Sequence, residues 1–242
     1  MKTLTNIIFP ASALVAFAIS RTMAAPPPDA TLYTTYGINS THTSVTWFVC
    51  GSTQQSDGCY GGGSLGPFGK VGALLEGNPS TNISTNTVTR AVYVLDIATG
   101  SNLNGVTLYV YTKTDVVTSS FDTTSITLSR TISLPLVGGS SALASMAANS
   151  KFLFIGTNKS PAAVEIKKGT FSITSIPGFS PPINVSAITA DPYGYVTVQF
   201  GSFNTILNGF YVFGPDGVAR LDGGGASFML NTVQAVLPST LH

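Results

Sequence analysis

Ten acidic side chains, two histidines and two cysteines are the whole stock from which this 242-residue chain can draw catalytic or metal-binding chemistry. A glycosidase needs two carboxyl groups facing each other, about 5–9 Å apart, and most of the acids have another duty. Asp191, Asp216 and Asp222 stand in turn motifs, and Asp96 closes an apolar strand ahead of Ala98-Thr99-Gly100. That leaves Asp57, Glu76 and Glu165 as candidates for a carboxylate-dependent hydrolase or lactonase. Nucleophilic catalysis needs a serine or cysteine beside a base. His42 is the one imidazole inside the chain apart from the terminal His242, and it lies in the polar run Asn39-Ser40-Thr41-His42-Thr43. No Gly-x-Ser-x-Gly elbow occurs, because Gly139-Ser140-Ser141 lacks the closing glycine. Gly66-Pro67-Phe68-Gly69-Lys70 has the wrong glycine spacing for a phosphate loop, and no Ser or Thr follows its Lys. No catalytic residue, metal ligand or cofactor is assigned, and a non-enzymatic binding role is the first expectation.

Binding chemistry is better represented. Exposed aromatic side chains on loops are the usual platform for sugar or peptide ligands, whereas those on strands belong to the core. By that rule Tyr60, Phe68 and Tyr193 are the ligand-binding candidates, while Trp47 and Tyr211 are packing residues. Two of the three candidates fall in the segment Gly51 to Gly77, where nine glycines are interleaved with Asp57, Tyr60, Lys70 and Glu76. Glycine there either brings backbone close to a ligand or makes a flexible hairpin stapled by Cys50 and Cys59. The two cysteines have neither zinc-site nor redox-motif spacing, so in an oxidising compartment they form a structural disulfide. Closing that loop stabilises the fold by about 2.7 kcal/mol in the chain-entropy model.

An oxidising compartment is what the N-terminus implies. Lys2 precedes an apolar run from Ile7 to Ile19, followed by Thr22-Met23-Ala24-Ala25 and then Pro26-Pro27-Pro28. This is the layout of a cleavable secretory signal, with cleavage expected after Ala24. A membrane anchor is the alternative, but a run of 13 residues containing Pro10 is short of the about 20 that a spanning helix needs. The mature chain is therefore expected to be secreted, periplasmic or extracellular, with no membrane span. It carries nine basic against ten acidic residues, which gives no electrostatic footprint for nucleic acid. The expected partner is an extracellular ligand: a glycan, a peptide or a surface partner. Charged residues are 9% of the chain, so apolar burial and neutral hydrogen bonds must carry the fold. The same poverty of charge, with high Thr, Ser and Gly content, leaves open a structural or adhesive surface protein. Tripeptides beginning at Asn39, Asn82, Asn158 and Asn184 match the glycosylation pattern.

The elements that must position these residues are strands. Runs rich in Val, Ile, Thr, Tyr and Phe are broken every several residues by Gly, Pro, Asn or Asp. About thirteen short strands are predicted, with no room for crossover helices, so the sheets should be antiparallel and residues 25–242 one domain. Ser145-Met146-Ala147-Ala148-Asn149 followed by Phe152-Leu153-Phe154-Ile155-Gly156 recurs as Ala187-Ile188-Thr189-Ala190-Asp191 followed by Tyr195-Val196-Thr197-Val198. A second pair of strands follows each copy, so each unit reads as one four-stranded blade. Trp47-Phe48-Val49 and Val92-Tyr93-Val94 are read as inner strands of two earlier blades.

Ala190-Asp191-Pro192-Tyr193-Gly194-Tyr195-Val196-Thr197-Val198 and Phe210-Tyr211-Val212-Phe213-Gly214-Pro215-Asp216-Gly217 resemble a blade of NHL-type or related β-propellers. The likeness covers about a third of the mature chain, and its content is two tight turns in which Asp caps its own backbone and Gly supplies a positive φ. It implies an all-β, propeller-like array of antiparallel four-stranded sheets. Four blades are expected, or five if Thr31 to Tyr36 joins Phe228 to Val236 to close the ring, with a β-sandwich as the alternative.

Overall fold

A computed structural model describes residues 32–51, 59–85, 87–117, 122–180, 182–201 and 208–225. The segment expected to be a secretory signal, Asp57 and the Phe228 to Val236 stretch lie outside them, as do the side chains of Cys50, Cys59 and Tyr60. The described residues form sixteen strands and a single 3-10 turn, Ile83–Thr85, arranged as four antiparallel sheets.

The first sheet is β1 (Leu32–Ile38), β2 (Val45–Gly51) and β3 (Cys59–Leu65), in that order. The second is β4 (Val71–Glu76), β6 (Thr87–Thr99), β7 (Gly105–Val117) and β8 (Asp122–Leu134), with the short β5 (Ser80–Asn82) beside β6. The third runs β9 (Ala144–Ala148), β10 (Phe152–Thr157), β11 (Ala163–Lys167) and β12 (Ile173–Ile176). The fourth runs β13 (Val185–Ala190), β14 (Val196–Phe200), β15 (Asn208–Phe213) and β16 (Ala219–Gly225).

The four sheets stack face to face in chain order. Tyr36, Val45, Leu65 and Phe68 pack against Val92, Val94 and Tyr111 between the first and second sheets. Leu95, Ile97 and Leu108 meet Leu153, Ile155 and Ile166 between the second and third. Phe154, Ala163 and Ile176 meet Val185, Val196, Val198 and Phe200 between the third and fourth. The two middle sheets are thus covered on both faces, which is why Val92–Ala98 and Leu153–Thr157 are buried without alternation. In β13 only Val185 and Ile188 are buried, three residues apart, because the ladder to β14 shifts register between Val185 and Ala187.

β9 lies against β4 on one side and against β13 on the other. The first strands of the last three sheets therefore line up, and the described residues form a propeller-like array of antiparallel sheets, none of which exchanges strands with another. The seam between β9 and β13 is closed by a side chain: Ser145 Oγ donates to the Ile188 carbonyl at 3.2 Å and accepts from the Ile188 N–H at 2.8 Å. A hydroxyl satisfies the free edge of β13 where a neighbouring strand would merge the two sheets.

Two sequence expectations need correction. Val92–Val94 lies on β6, the second strand of its sheet, because β4 takes the inner place, and Trp47–Val49 lies on β2, the middle strand of the first sheet. The glycine-rich segment takes the hairpin form, since β3 pairs with β2 along Cys59–Leu65. Gly62 and Gly63 are required there: a Cβ on Gly62 would stand 2.5 Å from the Trp47 carbonyl oxygen, and one on Gly63 3.0 Å from the indole Nε1. Glycine in a strand here makes room for a large cross-strand neighbour.

Candidate functional site

The strands β4, β9 and β13 end at the same edge of the array, and their turns enclose a cleft of about 280 Å³. Glu76, Gly77 and Asn78 follow from β4, Asn149 and Ser150 from β9, and Asp191 to Gly194 from β13; Lys168 and Pro215 complete the wall.

The two turns inherited from the sequence repeat are built alike. Asn149 Oδ1 accepts from the N–H groups of Lys151 at 3.0 Å and Phe152 at 2.8 Å. Asp191 Oδ1 accepts from those of Tyr193 at 2.9 Å and Tyr195 at 2.8 Å. These are the self-capping turns expected of Asx residues, and Gly194 completes the second with φ 86°. Asn149 has a further role that an aspartate lacks. Its amide donates to the Gly194 carbonyl at 3.1 Å and, more weakly, to the Gly214 carbonyl at 3.5 Å, tying its turn to both turns of the fourth sheet.

Tyr193 projects from the second turn at 63% exposure and lines the cleft. Lys168, also on the cleft wall, donates from Nζ to the Asn149 carbonyl at 2.6 Å, and its Nζ lies 5.8 Å from the centre of the Tyr93 ring. Burial lowers the Lys168 pKa to about 8. Glu76 also lines the cleft but belongs to a charge cluster. Its Oε1 is 3.3 Å from Arg90 Nε and 3.4 Å from Lys113 Nζ, and both cations also reach Asp115 Oδ2, at 2.7 Å and 3.2 Å. Thr124 Oγ1 donates to the other Asp115 oxygen at 2.7 Å. The Tyr36 hydroxyl is buried beside this cluster without a well-formed hydrogen bond. Burial first, and then the Glu76 charge, pushes its pKa far above the ordinary tyrosine value.

Of the ligand-binding residues expected from sequence, Tyr193 is in the cleft. Phe68 is not a surface platform: it is 5% exposed and packs edge-on against Tyr109 with ring centres 5.2 Å apart. The loop carrying it folds under the first sheet, where the Phe68 N–H donates to the Thr43 carbonyl at 2.9 Å. The side chain of Tyr60 lies outside the described residues. Among the candidate carboxylates, Glu76 lines the cleft, while Glu165, its pKa raised by burial, stands on β11 and does not. Asp57 lies outside the described residues. The second carboxylate in the cleft is Asp191, whose Oδ1 is committed to its own turn. Asp96 is structural as expected, receiving the N–H groups of Gly69, Lys70 and Ala98. Among the described residues no three His, Cys, Asp or Glu side chains converge to hold a metal ion, and no helix is long and apolar enough to cross a membrane.

The residues sequence reasoning missed are Lys168, Asn78 and Ser150. Lys167-Lys168-Gly169-Thr170 reads as an ordinary polar turn, and nothing local shows that its second lysine folds back over Tyr93. The repeat itself was the usable signal, since equivalent turns of stacked sheets must meet at one edge.

No family model matches the sequence, and no curated protein matches it. Among solved structures, the chain is similar to prolyl oligopeptidase B from Galerina marginata, a S577A mutant bound to a 35mer hydrolysis and macrocyclization substrate. The identity is 13% and the TM-score 0.31, over 81% of this chain and 34% of that one. The chain thus spans about a third of the length of that structure.

Proposed function

We propose that this protein is an exported, non-enzymatic carbohydrate-binding module whose ligand sits in the cleft between the β4, β9 and β13 turns. The observation that carries the reading is Tyr193, a largely exposed aromatic ring beside a cleft that also offers an amide, a hydroxyl, a carboxylate and an amine from Asn78, Ser150, Asp191 and Lys168. A sugar ring presents an apolar face to such an aromatic and hydroxyls to such polar groups. The two carboxylates of the cleft are already engaged, one by two cations and one by its own backbone, which disfavours a hydrolytic pair.

On a glycan array the full chain is expected to retain a defined set of oligosaccharides, and Tyr193→Ala to weaken their binding at least about ten-fold, the scale of an aromatic anchor. Undiminished binding by the variant moves the ligand away from this cleft, and an array without any bound glycan ends the carbohydrate reading.

Export and the disulfide belong to the same proposal. Cys50 and Cys59 are direct cross-strand partners in the β2–β3 register, a pairing whose backbone separation of about 4.5–5.5 Å falls within the span of a disulfide. Protein secreted from a eukaryotic or periplasmic host is expected to begin at Ala25 and to resist alkylation until reduced. A mass that retains the N-terminal segment, or two thiols that alkylate without reductant, would contradict it.

A further inference from the structure

Lys168 is the one feature of the cleft that a neutral sugar leaves unexplained. Its amine has three N–H groups, and one of them is taken by the Asn149 carbonyl. The remaining contact is with the Tyr93 ring, which does not neutralise the charge. None of the ion pairs among the described residues includes Lys168.

The groups facing it do not supply a counter-ion. Glu76, from β4, is held by Arg90 and Lys113 in a cluster of two acids and two bases that is already neutral. Asp191, from the turn after β13, keeps its charge with one oxygen held by the N–H groups of Tyr193 and Tyr195, but it forms no ion pair with Lys168. Tyr193 and Asn149 contribute a phenol and an amide. Burial alone accounts for the depressed pKa of the amine, with no carboxylate opposing it. A partly desolvated cation beside an accessible cleft, without an anion of its own, is an incomplete pair.

We infer that the cleft selects an acidic sugar of the uronic acid type, its ring seated against Tyr193 and its carboxylate paired with Lys168. This rests on the carbohydrate reading above. A carboxylate would receive the N–H groups that Lys168 has left over, and the partial burial of the amine would make that charge-assisted bond stronger than one at an open surface.

The test compares methyl β-D-glucuronide with methyl β-D-glucoside, which differ in a carboxylate against a hydroxymethyl group, by ligand-observed NMR titration of the full chain. At pH 6.5 the glucuronide is expected to bind about ten-fold tighter, the scale of one charge-assisted hydrogen bond. Lys168→Gln, which keeps a donor for the Asn149 carbonyl, should bring the two ligands level, whereas Lys168→Arg should keep the preference. The amine is charged below its pKa of about 8 and a uronic acid is ionised above about pH 4, so the preference should be flat between about pH 5 and 7 and shrink as pH rises beyond about 8. In Lys168→Arg it should persist to pH 10. Equal affinities in the unaltered protein, a preference that survives in Lys168→Gln, or one indifferent to pH would overturn the acidic-sugar inference while leaving the carbohydrate reading in place. If neither glycoside binds and the glycan array retains only neutral oligosaccharides, the acidic-sugar inference falls alone; an array that retains none ends both.

Discussion

Asp115→Ala is expected to destabilise the protein by about 3–5 kcal/mol, the range for removing one partner of a buried ion pair. The side chains of Asp115 and Lys113 are 2% and 1% exposed, and Arg90 is 12% exposed. Deleting the acid leaves two cations sharing Glu76, the more exposed member at 25%, and strands the Thr124 hydroxyl that donated to Asp115. Uncompensated charge in a dry site costs far more than the pair gains over water, so the loss should exceed that of a surface ion pair several-fold. Urea unfolding monitored by circular dichroism reads the change as a shift in midpoint at constant slope. The informative companion is Lys113→Met with Asp115→Leu. That double variant leaves Arg90 with Glu76, keeps the volume filled and should be destabilised by much less than the sum of its single variants. A single Asp115→Ala variant within about 1 kcal/mol of the parent would show that water reaches the cluster freely, as it does for surface pairs.

The second large effect falls on Asn149, which is 6% exposed. Asn149→Ala removes an acceptor for two backbone N–H groups and a donor for two carbonyls at once. With buried polar groups left unsatisfied at about 1–3 kcal/mol each and some relaxation toward water, a loss of about 2–4 kcal/mol is expected. For a chain of this size that corresponds to a fall in Tm of about 5–15 °C, measurable by calorimetry. Asn149→Asp separates the two halves of the role. A carboxylate caps the turn as Asp191 does in the equivalent position, but it cannot donate to the Gly194 and Gly214 carbonyls and faces them with a negative charge. It should therefore fail to restore stability. An aspartate variant as stable as the parent would show that the tie between the third and fourth sheets contributes nothing.

These two positions also mark where sequence reading stops. The strand grammar was legible because runs of β-branched and aromatic residues broken by turn residues are a local signal: Phe152–Gly156 of the repeat lies on β10, and Ala187–Ala190 on β13. The self-capping turns of the repeat were legible because the Asx and glycine chemistry is local. β3 was not, because its Gly62 and Gly63 are set by Trp47 on a different strand. Phe68 was misplaced for a related reason: a loop position says that backbone lies near solvent, not that the ring does, and Tyr109 and Val71 draw it inward. The charge cluster was invisible because its members come from β4, β6 and β7. The β7 ladder also shifts register between Val110 and Tyr111. Lys113 and Asp115 therefore look, along the sequence, like the solvated end of an amphipathic strand.

The ladders have one more property with a kinetic meaning. Each joins strands adjacent along the chain, apart from β4 with β6, which reach past only the short β5. Hairpin zippering of this kind takes about 1–10 μs, and the closure entropy of short connections is small. The long-range ordering of the molecule is thus deferred to the docking of preassembled sheets through their three apolar interlayers. During synthesis each sheet can complete from its own stretch of polypeptide before the next has emerged, so the topology keeps nascent β edges unpaired for only a short time and limits their opportunity to aggregate.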